Sequence, residues 1–129
     1  MENEIFYYII NKDLKSIKKL VESTENFNLE IRCDYDSTPL HISVNYGHLD
    51  IVKYLISVGV DIESKDVDGF TSLHIASIYS DVEIIKHLLL NGADPYVVDK
   101  FGTTPIDYYD SREEFLNLIR LCKLEDLYE

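Results

Sequence analysis

A register of 33 residues runs through this chain and limits what it can fold into more than any other feature. Thr38-Pro39-Leu40-His41 returns as Thr71-Ser72-Leu73-His74, and again as Thr104-Pro105-Ile106-Asp107. Leu49-Asp50-Ile51-Val52-Lys53 aligns with Val82-Glu83-Ile84-Ile85-Lys86 on the same spacing. Gly59-Val60-Asp61 aligns with Gly92-Ala93-Asp94, and Gly69 with Gly102. A period of this length marks supersecondary units that cannot bury their apolar faces alone and must stack on one another.

Each unit reads as two short helices and a turn. Thr38, Thr71 and Thr104 stand where a hydroxyl can accept an orphan N–H at a helix start. Pro39 and Pro105 follow at the first helical position, where the missing donor costs nothing. Leu49, Val52, Leu55 and Ile56 share a face of the second helix by the 3.6 period. Gly59 and Gly92 come next, as a left-handed C-cap requires. Lys65-Asp66-Val67-Asp68-Gly69 supplies turn chemistry between units.

These residues resemble the ankyrin repeat, whose period is 33 and whose signature is T-P-L-H-x-A. Thr71-Ser72-Leu73-His74-Ile75-Ala76 departs from that signature only at Ser72. The resemblance is strongest over residues 33–100. It implies an all-α solenoid of about four repeats forming one domain over 1–129, with repeats near 1–32, 33–65, 66–98 and 99–129. The first and last are degenerate and read as caps. At the N-terminus Ile5, Leu14, Ile17 and Leu20 align with the second repeat at an offset of 35, which puts two extra residues in the following link. At the C-terminus Asp107 replaces the histidine, and Tyr109 and Asp110 replace small or apolar residues. Phe115, Leu118, Leu121 and Cys122 are expected as the inner face of the final helix.

No enzyme chemistry is expected. His41 and His74 lie one repeat apart, and helices pack about 8–10 Å from one another, too far for both to sit about 2.1 Å from one zinc. In the ankyrin family this histidine ties the Thr-Pro turn to neighbouring backbone. His48 and His87 fall on second helices, facing solvent or a neighbour. Asp61 with Glu63, and Asp66 with Asp68, read as solvated turn residues rather than calcium ligands. Cys33 and Cys122 are too distant in a solenoid to be bridged. No cofactor and no metal is therefore expected.

The resemblance also places a concave face along the turn tips and the ends of the first helices. Tyr35 stands at one tip with Tyr46 behind it. The next tip offers Asp68 and Phe70, with Ile78 and Tyr79 behind. The last offers Lys100 and Phe101, with Arg112 behind. The fold does not require apolar groups there, and aromatic residues are favoured at binding hot spots. Lys12, Lys15, Lys18 and Lys19 form a basic cluster on the second helix of repeat one and read as its solvated face.

Net charge is −12 over 129 residues, and acids exceed bases along the whole chain. A phosphate backbone would be repelled, so no nucleic acid is expected; a basic protein partner would be attracted. No run reaches the ~18 apolar residues of a membrane span. The start Met1-Glu2-Asn3-Glu4 is acidic where a secretory leader is basic, and two cysteines suit a reducing compartment, so an intracellular, cytoplasmic setting is expected. The reading is a non-catalytic, monomeric protein-binding module. The alternatives are an acidic immunity-type inhibitor of a basic toxin or enzyme, and a structural protein that self-associates into a homo-oligomer.

Overall fold

The computed structural model describes residues 3–128, with side chains described through residue 123. The described residues form eight α-helices and no strand. They run in pairs: α1 (Glu4–Ile10) with α2 (Leu14–Ser23), α3 (Pro39–Asn45) with α4 (Leu49–Ser57), α5 (Ser72–Ile78) with α6 (Val82–Leu90), and α7 (Pro105–Tyr108) with α8 (Arg112–Tyr128). The first helices pack side by side from α1 through α3 and α5 to α7, and a second row brings α4, α6 and α8 together. This is the helical solenoid of about four repeats that the period implies.

The core lies between the two rows and repeats with the sequence. Ile5, Leu40, Leu73 and Ile106 hold one register position and are all sealed from solvent. Ile17, Val52 and Ile85 hold another and are equally buried. Burial of such a side chain contributes about 1.5–3 kcal/mol each. Ile51 and Ile84 are also fully buried, whereas Leu49 and Ile56 are only partly so. The inner face of α4 is thus turned slightly from the one expected, with Ile51 replacing Leu49 at its centre.

The three threonines cap as expected. Thr38, Thr71 and Thr104 accept from the backbone N–H of His41, His74 and Asp107, and each forms a reciprocal capping box. Gly59 and Gly92 have φ of +96° and +93°, the left-handed geometry of a C-cap.

The C-terminal unit corrects one expectation. Leu121 is 52% exposed, and Phe115, Ile119 and Cys122 form the buried face of α8. The first helix of this unit stops at Tyr108 after a single turn, three residues short of the end matched to α5, and α8 starts at Arg112, three residues ahead of the position matched to Val82. The 33-residue register therefore does not set the phase of α8, and burial falls on Cys122 instead of Leu121. Tyr109 packs edge-on to Phe115 with ring centroids 5.4 Å apart, filling the space so created.

Candidate concave binding groove

The inner histidines set the position of the loops that border the concave side. The backbone N–H of Thr38 donates to Nδ1 of His41 at 3.1 Å, so that nitrogen carries no proton and Nε2–H donates to the Phe70 carbonyl at 2.8 Å. His74 repeats the arrangement with Thr71 at 3.0 Å and the Thr103 carbonyl at 3.0 Å. Burial pushes the pKa of both imidazoles down, opposed by those carbonyl contacts, and holds the rings neutral. They are structural ties between repeats, as the resemblance implies.

Carboxylates pin the loops themselves. Asp66 Oδ1 accepts from the amides of Asp68 and Phe70, and Asp99 Oδ1 accepts from those of Phe101 and Thr103. Glu30 accepts from the Asp61 amide, and Glu63 from the Asp94 amide, each reaching into the following repeat. Asp61 and Glu63 are exposed turn residues, as expected, and Asp66 is half-buried; each has the further duty of accepting a loop amide. Asp99 is only 6% exposed and its other oxygen accepts from the Tyr108 hydroxyl. Burial opposes its ionisation, but the Tyr108 and backbone bonds prevail and lower its pKa.

Adjacent tips are joined through backbone, Val67 N–H to the Tyr35 carbonyl at 2.9 Å and Lys100 N–H to the Asp68 carbonyl at 3.0 Å. Gly69 (φ +77°) is required where they meet, because an added Cβ would lie 3.0 Å from the Lys100 nitrogen. Tyr35 stands on left-handed backbone at φ 60°, a conformation that costs a side-chain-bearing residue about 1–2 kcal/mol. Its ring is 79% exposed.

Between two tips and the helix row lies an open groove of about 540 Å³. Of the residues expected on the concave face, Tyr35, Tyr46, Asp68, Phe70, Ile78 and Tyr79 line it. Tyr46 stacks on His48 at 6.0 Å, and the Tyr79 hydroxyl donates to Asn45 Oδ1 at 3.1 Å, joining two repeats across the groove. Burial first, then Asp34, pushes the Cys33 thiol up, so the wall carries no thiolate.

Phe101, Lys100 and Arg112 lie outside this groove. The Phe101 ring continues the aromatic row 6.5 Å from that of Phe70 and is 69% exposed. Lys100 is exposed at the next tip. Arg112 sits in the first turn of α8 and pairs with Asp107 at 3.3 Å, because α7 ends before reaching the position matched to Tyr79.

Sequence reasoning missed the groove floor. Phe6, Ile42 and Ile75 form it, and Ile10 borders it. Phe6 matches His41 at the offset of 35, and Ile10 matches Asn45, so the alignment that located the first repeat contained the signal. Two further placements differ from expectation. His48 stands at the N-terminal boundary of α4 rather than within it and makes no capping hydrogen bond, and Lys12 lies in the turn before α2 with φ 55°. Lys18 is not simply solvated: its ammonium lies 5.6 Å from the Tyr54 ring centroid in the next repeat.

Among the described residues no group of three or more His, Cys, Asp or Glu side chains is arranged to hold a metal. No described helix is long and apolar enough to cross a membrane.

A family model described as ankyrin repeats, in three copies, matches residues 5–106. An ankyrin repeat protein of Rickettsia felis is 33% identical over 62 residues, 48% of this chain and 20% of that protein. An ankyrin repeat-containing protein of Schizosaccharomyces pombe is 50% identical over 34 residues, 26% of this chain and 16% of that protein. The serine/threonine-protein kinase VIK of Arabidopsis thaliana is 35% identical over 63 residues, 48% of this chain and 14% of the kinase. The match spans a fifth or less of these curated relatives.

Proposed function

We propose a function for a chain that belongs to the ankyrin repeat family: it binds a partner protein through its concave face, as a monomer, and catalyses nothing. Ankyrin repeats are in general protein–protein interaction modules and in general non-catalytic, and that is the ground the proposal stands on. The observation that carries it is the clustering of Tyr35, Tyr46, Ile78 and Tyr79, all exposed, around one groove. Large rings with few rotatable bonds give contact area at low entropic cost, which is what binding hot spots use. The partner's contacting face is basic, in keeping with the net charge of −12, and the setting is a reducing intracellular compartment. An immunity-type inhibitor that masks a basic toxin or enzyme is a special case of this reading, supported by the same charge.

The test is the double variant Tyr46→Ala/Tyr79→Ala. Both rings are exposed and only one exposed hydrogen bond is lost, so melting shifts by no more than about 3 °C while affinity for an identified partner falls at least about a hundredfold. Unchanged affinity moves the binding surface elsewhere.

A further inference from the structure

We propose that the groove selects a partner segment in which an arginine stands beside an apolar side chain, the guanidinium docking between Asp34 and Asp68. This rests on the reading of the groove as the binding surface and specifies what that surface chooses. The lining includes three carboxylates, Asp34, Asp66 and Asp68, and no lysine or arginine. Its one imidazole, His41, is held neutral.

Those carboxylates are not equivalent. Asp66 is engaged by two loop amides. In the neighbouring loops Glu30, Asp61, Glu63, Asp94 and Asp99 likewise each accept a backbone amide. Asp34 and Asp68 are different: among the described residues neither side chain accepts a hydrogen bond or joins an ion pair. The cation adjoining this tip, Arg32, gives its Nη1 to the Asp36 and Lys65 carbonyls and leans on the Asp36 carboxylate. Two unpaired anions thus border an apolar floor with nothing of opposite sign in the wall.

A guanidinium fits these surroundings better than an ammonium. It is planar, weakly hydrated and forked, so it can bond a carboxylate edge while lying over a tyrosine face. The exposed rings of Tyr35 and Tyr79 offer such faces. The adjacent apolar side chain rests on Ile42 and Ile75. An acidic segment would meet three carboxylates of its own sign and be rejected.

The experiment selects short random peptides against the full chain by display, then measures a labelled winner in solution. Arginine next to Leu, Ile, Phe or Tyr is expected among the winners. Asp34→Asn/Asp68→Asn should weaken the labelled peptide about tenfold, with the far-UV dichroism unchanged, while Glu113→Gln on α8 has no effect. Winners that need Tyr46 and Tyr79 but show no arginine enrichment, carry lysine in its place, or ignore Asp34→Asn/Asp68→Asn overturn the guanidinium proposal and leave the groove intact. Winners indifferent to Tyr46 and Tyr79, or none above background, overturn both.

Discussion

His41, His74 and Asp107 occupy one register position in successive repeats and share only half of their work. All three close a capping box with a threonine three residues earlier. The two histidines then extend a second ring nitrogen to the carbonyl of the following loop, whereas Asp107 turns outward to Arg112. The glycines draw the same line: the tip of the next repeat crowds Gly69, while Gly102 has nothing within 4 Å of where a Cβ would stand. At this register position the inner side chains therefore serve two units at once, and Asp107 serves one. The difference separates what makes a repeat fold from what makes repeats cohere.

The largest effect should come from removing the second duty. His74→Ala leaves the Thr71 amide and the Thr103 carbonyl without their partner in a buried setting, costing about 2–4 kcal/mol. By urea denaturation and melting, Tm should fall roughly 8–16 °C. Asp107→Ala removes an exposed cap and an exposed ion pair and should lower Tm several-fold less. Equal losses would mean that the histidine's worth lies in capping alone.

An intermediate effect is expected from acid. The folded pKa of His41 and His74 lies below the ordinary value of about 6.5, so the unfolded chain binds these protons more readily. Their contribution is complete above about pH 6.5 and is lost as pH falls from there through the folded pKa. Asp66 and Arg32 act on His41 with opposite signs, as Asp99 and Lys65 do on His74, so burial decides the direction. Asp99, with its own lowered pKa, should add a separate loss only below about pH 4. Urea midpoints measured across this range should fall in two stages in the wild type, and the first should shrink in His74→Ala. A single stage near pH 4 would assign no role to the imidazoles.

The smallest effect is the sharpest. Asp107→His restores the family residue where, among the described residues, α8 and not another finger loop follows. Tm should stay within about 2 °C of wild type. A clear gain would show that the ring stabilises its own repeat without a neighbour.

The inner repeats were legible because their decisive contacts are local or recur at one spacing. Thr38 and His41 are three residues apart, and the same pair returns at Thr71 and His74, so one reading checks the other. Leu121 was not legible for the opposite reason. With the first helix shortened and α8 starting three residues early, the period no longer carries the phase of α8, and only packing against Lys86 and its neighbours in α6 decides between Leu121 and Cys122. The candidate site was legible at its tips, where the fold leaves Tyr35 and Tyr79 unconstrained. Its floor was legible only in part: the offset of 35 sets Phe6 at the position of His41, but Ile75 is a buried apolar residue whose sequence pattern reads the same whether it faces a neighbouring helix or a groove.

The backbone links between tips have a mechanical consequence. Tyr35 holds Val67, and Asp68 holds Lys100, so three fingertips are laced into a strip along one margin of the solenoid. A strip stiff on one margin bends most readily about that margin, like a book about its spine. Widening or narrowing of the space beneath would then arise from tilt among the outer helices, while the fingertips keep their spacing and present the same row of side chains to whatever arrives.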